Sequence, residues 1–413
     1  MSDRLPPKPK NPVLKTREPT VPPGLRSRAA MRLTAAACDG CFELQQCRSC
    51  GRFQYPPREA CFNCLSTMLE WTPCDGSGEL ISQTTLHHSN ENYFRERLPL
   101  RVGLVRLDIG VDALAFVHEK CSGPPARVTV RAHLDRAGQA ALAAYPADHQ
   151  TGANEDRLLR DMTCDPKFRK VLVTDGKAAA GQAIVKALLA TGADLVWVGV
   201  AEPWKRSAAL DTIASLPEVT VVPLDVTDGR SVAELAGLIG GKVDILVNTA
   251  EVHRNRPVGA RGLETARAEM EVNYFGLLRL IETFGPALKA RAADGEHGAA
   301  AWVNLLSIHA LSALPSQSSF TASKAAAFAL SQSLRADMQQ AGLRVINVFP
   351  GPIDDEWNQL VPQPKLAPAA LADAIVAGLR DGTEDIYPGD VARDFLTRWR
   401  LSAKVLEREL AGQ

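Results

Sequence analysis

Two hydrophobic rhythms divide this chain. Between Gly78 and Val130 the apolar positions alternate or gather in short β-branched runs, ELISQTTLH, RVGLVRLDI, ALAFVHE and ARVTVRAHL, set off by Gly, Asp or Pro. A period of two interrupted by turn residues predicts short antiparallel strands, enough for a small barrel. Beyond Lys170 the texture changes. VLV (171–173), LVWVGV (195–200), VTVVPLDV (219–226), DILVN (244–248), AWVNLLS (301–307) and RVINVFP (344–350) alternate with helix-compatible stretches such as AGQAIVKALLATG. Short apolar strands separated by amphipathic helices predict an α/β fold with a doubly wound parallel sheet. The pattern is weakest in two places. Residues 1–24 are rich in Pro, Lys and Arg without periodicity and read as a disordered basic tail. Residues 148–168 are polar and read as a linker. The expected organisation is therefore a tail over 1–24, a β module over 25–147, a linker over 148–168 and an α/β domain over 169–413.

Composition narrows the function classes. The chain has 413 residues, 46% of them apolar, which suits two or three globular domains. Lys+Arg and Asp+Glu both number 47, so no basic excess exists for capturing a nucleic-acid backbone. There is no uncharged run of about 20 apolar residues, hence no expected membrane span. The opening MSDRLPPKPKNPVLK lacks an apolar signal core, and the expected compartment is the cytoplasm.

Six of the nine cysteines fall between Cys38 and Cys64. Cys47-Arg48-Ser49-Cys50 and Cys61-Phe62-Asn63-Cys64 form two C-x-x-C knuckles ten residues apart. Two such knuckles can place four thiolates around one zinc ion, and four protein ligands close the coordination sphere, so the metal is expected to be structural. Cys38-Asp39-Gly40-Cys41 offers a third pair. The set Cys47, Cys50, Cys61 and Cys64 is preferred, because Pro56, Pro57 and Arg58 fill the loop between them as in a ribbon.

Those four cysteines, the Pro-Pro-Arg loop, Trp71 and the Gly76-x-Gly78 entry to the first barrel strand resemble the acyl-CoA-associated zinc-ribbon/OB-fold family, over about residues 25–147. The resemblance implies an OB-type β-barrel behind the ribbon, an acyl-CoA ligand and a thiolase-like protein partner. His87 and His88, at the end of the first barrel strand, are candidates for a ligand groove but read better as surface histidines.

The second half resembles the short-chain dehydrogenase/reductase family over about residues 169–395. Where that family has T-G-x-x-x-G-x-G, this chain reads Thr174-Asp175-Gly176-Lys177-Ala178-Ala179-Ala180-Gly181 and keeps only the last glycine. Such glycines let the backbone turn tightly and approach a pyrophosphate. By the same resemblance, Thr174, Gly176, Gly181, Asp225, Val226, Asn248, Lys324, Pro350, Gly351 and Ile353 are the cofactor-binding positions. Asn273, Ser307, Lys324 and position 320 are the catalytic ones. Position 320 is phenylalanine in Phe320-Thr321-Ala322-Ser323-Lys324, where the family has a tyrosine. Glu251 stands in the place of a glycine, and Asp355 in the place of a threonine.

Reducing a carbonyl requires a group that exchanges the hydroxyl proton, and that help is worth about 10²–10⁴-fold in rate. A phenyl ring supplies none. His309, two residues after Ser307, is a candidate replacement acid. Asp175, Glu251 and Asp355 put three acids at positions facing the dinucleotide in the family, which weighs against NAD(P) binding. The strand end Val198–Glu202 chooses neither NAD nor NADP. The expected reading is a catalytically degenerate dehydrogenase-like domain, a homo-oligomer through its helices, fused to a thioester-handling zinc module. The alternative is an active NAD(P)-dependent oxidoreductase acting on a hydroxyacyl- or oxoacyl-CoA.

Overall fold

The computed structural model describes residues 19–412 apart from 25, 148–150, 206, 255–261 and 360. Most of the expected tail, 1–18, lies outside the described residues. After helix α1 (Met31–Cys38), strands β1 (Glu43–Cys47), β2 (Phe53–Gln54) and β3 (Leu69–Pro73) form the ribbon, in the order β2-β1-β3. Next come β4 (Ser77–Leu86), α2 (Asn92–Arg95), β5 (Leu100–Leu107), β6 (Val111–Val117), β7 (Ala126–Leu134) and β8 (Ala140–Pro146). The five strands close into a barrel in the order β4-β5-β6-β8-β7, with β6 and β8 parallel, as an OB-type barrel requires. Its interior holds Leu80, Val105, Leu107, Val128, Leu134 and Leu142. Gly76 opens it with φ +76°, and a Cβ there would lie 1.9 Å from the Val130 carbonyl oxygen. Only glycine fits this crossing.

The alternation of the sequence misses β8. Four of the seven residues of AALAAYP are alanine, which has little strand preference. Its conformation is set by its partners, since it pairs antiparallel with β7 and parallel with β6 to close the barrel.

The α/β domain follows with β9 (Lys170–Val173), α3 (Ala179–Ala190), β10 (Leu195–Val200), α4 (Ala208–Ala214), β11 (Val219–Pro223), α5 (Gly229–Ile239) and β12 (Ile245–Asn248). It continues through α6 (Leu263–Met270), α7 (Leu277–Arg291), β13 (Ala301–Leu305), α8 (Ser318–Gln339), β14 (Arg344–Val348), α9 (Pro368–Asp381), β15 (Asp385–Ile386) and α10 (Gly389–Leu410). All seven strands are parallel, in the order β11-β10-β9-β12-β13-β14-β15. The order reverses between β9 and β12, so the carboxyl ends of those strands border the crevice where doubly wound folds bind ligands.

The segment read as a linker is a packed strap. Asp156 accepts bonds from the Glu119, Leu158 and Leu159 amides at 2.7–3.0 Å, and Leu159, Met162 and Cys164 are buried. The end of the expected tail is packed too: Pro22 is buried and Thr20 donates to Glu96. The two halves therefore share one body. Arg344, buried at the start of β14, donates to the Leu134 and Asp135 carbonyls at 2.9 and 3.1 Å. Arg136 reaches back to the Gly342 and Ala292 carbonyls at 3.3 Å.

Candidate functional site

The cysteine knuckles are near-copies of each other. Gly51 N–H bonds Cys47 O at 2.7 Å, and Leu65 N–H bonds Cys61 O at 3.0 Å. Each knuckle ends in a left-handed residue, Gly51 at φ +74° and Leu65 at φ +59°. The four Sγ atoms lie within 4.8 Å of one another, with Cys47–Cys64 and Cys50–Cys61 at 3.6 Å. A tetrahedral zinc with bonds of about 2.3 Å needs edges of about 3.8 Å, so this donor set fits the ion. Cys38 and Cys41 stand apart from the cluster: Cys38 Sγ bonds Glu384 at 3.5 Å and Cys41 is exposed.

In the α/β domain the loop after β9 carries its own anion. The Asp175 carboxylate accepts the Lys177 N–H at 2.8 Å, while its backbone N–H bonds Thr249 Oγ1 at 2.9 Å. Burial pushes the Asp175 carboxyl up, and the Lys177 and Ala178 amides pull it back down. These amides precede the first turn of α3, where a helix N-terminus would otherwise receive a phosphate. Gly181 is imposed by packing, since a Cβ there would lie 2.0 Å from Asp175 O. Gly176 N–H bonds Gly199 O at 3.0 Å. Thr174 Oγ1 donates to Asn248 at 2.9 Å and accepts from the Thr249 and Ala250 amides, stitching β9 to β12. Asp225 turns to Thr227 Oγ1 at 2.7 Å, and Val226 is buried.

At the other end of the crevice Lys324, 2% exposed on α8, points Nζ at Glu251 Oε2 (2.6 Å) and at Leu305 O (2.9 Å). The acid that replaced a glycine has become the lysine's partner. Phe320, also buried, stacks on His253 with ring centroids 3.9 Å apart. Asn273 sits in a π-helical turn, Glu271–Gly276, and both ends of its carboxamide are taken. It accepts Val252 N–H at 3.0 Å and donates to Val252 O and Ser323 Oγ at 2.9 Å. Its role here is to fix the loop bearing Glu251 and His253.

Ser307 Oγ accepts the His309 amide at 3.2 Å. Pro350 O accepts Ile308 N–H at 3.0 Å, Gly351 packs on Val391, and Ile353 is buried and bridged to Leu366. Of the three expected intruding acids, Asp355 turns one carboxylate oxygen, Oδ1, back onto its own loop. It accepts the Trp357 and Asn358 amides and Asn358 Nδ2 at 3.0–3.1 Å.

The expectation for His309 also changes. The ring lies edge-on to Phe395 of α10, buried, and burial pushes it down to about 4. His133, bonded to Tyr145 in the barrel, is likewise pushed by burial to about 4. A neutral imidazole at neutral pH is a poor proton donor. In the unfolded chain these rings titrate near 6.5. Between about pH 6.5 and 4 the unfolded state binds more protons, so their contribution to stability is whole above pH 6.5 and is lost as pH falls to about 4. Histidine ring NMR should accordingly show both rings neutral at pH 5. Protonation of either ring near pH 6.5 would contradict this burial effect. His87 and His88 lie just past β4 and are exposed.

Two features of the site escaped the sequence. His253 carries no family signature, yet it covers Phe320, and its buried Nε2 has no hydrogen-bond partner among the described residues. The Glu251–Lys324 pair joins residues 73 positions apart in sequence, and nothing in local spacing announces it.

Residues 169–365 match the model of the short chain dehydrogenase family, and residues 36–70 that of the ChsH2, rubredoxin-like zinc ribbon domain. A short chain dehydrogenase from Burkholderia cenocepacia, solved in complex with NADP, is 36% identical with a TM-score of 0.54, the match covering 60% of this chain and 98% of that one. The mouse dehydrogenase/reductase SDR family member 7B is 30% identical over 204 residues, 47% of this chain and 61% of its own length. An uncharacterized oxidoreductase of Staphylococcus haemolyticus is 27% identical over 51% of this chain and 90% of its own. Among the described residues no helix is long and apolar enough to cross a membrane.

Proposed function

Since the C-terminal domain belongs to the short-chain dehydrogenase family and follows a ChsH2-type zinc ribbon, we propose that it serves as a redox-silent scaffold for a thioester-handling module. The observation that carries this reading is the buried Glu251–Lys324 ion pair beside Phe320. Proton exchange with a bound carbonyl needs an ionisable donor, and Phe320 has none. The ammonium that would support such a donor and hold a ribose hydroxyl is committed to Glu251. Asp175 likewise fills the amides of the phosphate loop. Internal carboxylates thus occupy both polar ends of the dinucleotide track.

On this reading the N-terminal module carries the biological role: binding an acyl-CoA and docking a thiolase-like protein, with a structural zinc in Cys47, Cys50, Cys61 and Cys64. Support comes from the ribbon surface. Phe62, Leu65 and Met68 are 52%, 78% and 58% exposed on and beside the second knuckle. Leu65 also holds a left-handed backbone that costs a branched side chain about 1–2 kcal/mol and glycine almost nothing. An exposed apolar residue kept at a strained position suits a contact surface.

A second reading, an active oxidoreductase on an oxoacyl-CoA, draws on His253, whose unpartnered Nε2 lies against Phe320. Restoring the family residues separates the two. In the Asp175→Gly/Glu251→Gly/Phe320→Tyr variant, which clears both ends of the track and returns the phenol, NADPH-dependent reduction of acetoacetyl-CoA is expected to rise 10²–10⁴-fold over the natural chain. Phe320→Tyr alone should gain little, because Glu251 still holds Lys324. A natural chain that already turns over, and stops when His253→Ala is introduced, would establish the second reading instead.

A further inference from the structure

The barrel, the strap over 151–168 and the N-terminal segment meet around a cavity of about 320 Å³. Its floor is Tyr93, Leu100, Leu159 and Met162, all buried, and its mouth lies beside the exposed Pro23 and Arg26. Well-packed interiors leave few voids larger than a water molecule. An apolar cavity of about 150 Å³ is enough to take up benzene. The space here is about twice that.

The polar groups around it are already matched. Tyr93 Oη donates to Asp161 at 2.6 Å, Arg97 Nε donates to Asp161 at 2.7 Å, and Arg136 reaches Asp161 at 3.4 Å. The Arg97 guanidinium also lies 3.7 Å from the centre of the Tyr93 ring. Asp135 accepts the Ala137 and Gln139 amides at 2.8 and 3.0 Å and faces Arg26 at 3.6 Å. Arg97 meets Glu96 at 3.8 Å as well. Of the lining residues, Arg26 faces Asp135 and Arg97 is held by Asp161 behind it, so both guanidinium groups are already paired with carboxylates.

The geometry points to a binding site at this junction for an uncharged aliphatic or alicyclic group of roughly eight to twelve heavy atoms. Recognition is by shape and burial, with the charged residues acting as a rigid frame. Because Leu158, Leu159 and Met162 come from the strap that joins the two halves, an occupant is held by residues that only the complete chain brings together. The inference does not depend on the redox state of the α/β domain.

Calorimetric titration of the full, zinc-loaded chain with 1-hexanol, 1-heptanol and 1-octanol tests it. Each added methylene should tighten binding about threefold to fourfold, the effect of about 0.8 kcal/mol per buried CH₂. Ala141→Phe on the barrel and Leu158→Trp on the strap both fill the space, and each should weaken octanol binding at least tenfold with the circular dichroism unchanged. If one variant misfolds, the other decides. Octanol binding that is absent, or equal in the natural chain and a folded filling variant, overturns the proposal. Octanoyl-CoA, titrated alongside, addresses the thioester reading separately. Binding tighter than octanol and lost in the filled variants places the acyl chain here. Octanoyl-CoA no tighter than octanol leaves the cavity standing and removes the thioester.

Discussion

Stripping the metal from the cysteine cluster is expected to unfold the ribbon and loosen the barrel behind it. The ribbon has almost no core of its own. Cys47 and Cys61 are themselves fully buried, and β2 is two residues long. Structural zinc in small finger domains contributes about 10–16 kcal/mol of apparent folding free energy at neutral pH. The loss should travel, because Leu44 of β1 belongs to the same core cluster as Leu80 and Leu134 of the barrel. Cys61→Ser should therefore bind less than one zinc per chain and lose hydrogen-exchange protection across residues 43–73. Undiminished protection of Leu44 to Cys47 in that variant would show that the ribbon holds together without its ion.

The second large effect concerns the buried pair in the α/β domain. Glu251→Gln leaves the Lys324 ammonium 2% exposed and without its carboxylate. Removing one member of a buried pair typically costs about 3–5 kcal/mol, whereas replacing both with apolar groups is often neutral. Denaturant unfolding should show that loss for Glu251→Gln and a return to within about 1 kcal/mol of the natural chain for Glu251→Leu/Lys324→Met. A cost below about 1 kcal/mol for the single variant would mean that the lysine finds another partner, and that the pair does not lock the site.

Much of the architecture was readable before the structure. Apart from the edge strand β11, which is half exposed, the apolar strands of the α/β domain from Val171 to Val348 are buried runs, and such runs report parallel strands directly. Spacing left three candidate knuckles, and the Pro56-Pro57-Arg58 loop singled out Cys47, Cys50, Cys61 and Cys64, the set whose Sγ atoms the fold gathers. Legibility ended where long-range packing decides. Strand β8 is alanine-rich and takes its form from β6 and β7. The strap at 151–168 is polar along its length, yet its polar groups are spent inward, on Glu119, Arg97 and Arg136. In the site, Phe320 and the changed glycines were visible as substitutions, but the purpose of the new acids was not. Asp175 caps its own loop and Asp355 caps another, while Glu251 alone faces the lysine. A carboxylate's partner is a property of the folded crevice and not of neighbours in sequence.

One measurement bears most directly on the proposal that the crevice no longer performs hydride chemistry. The natural, zinc-loaded chain is mixed with saturating NADPH and acetoacetyl-CoA, and cofactor oxidation is followed by absorbance. Enzymes commonly turn over at about 10 s⁻¹, and loss of the acid–base group removes 10²–10⁴ of that, so a rate below about 0.1 s⁻¹ is expected. Turnover of about 1 s⁻¹ or faster, from a site holding Phe320 and the Glu251–Lys324 pair, would contradict the account.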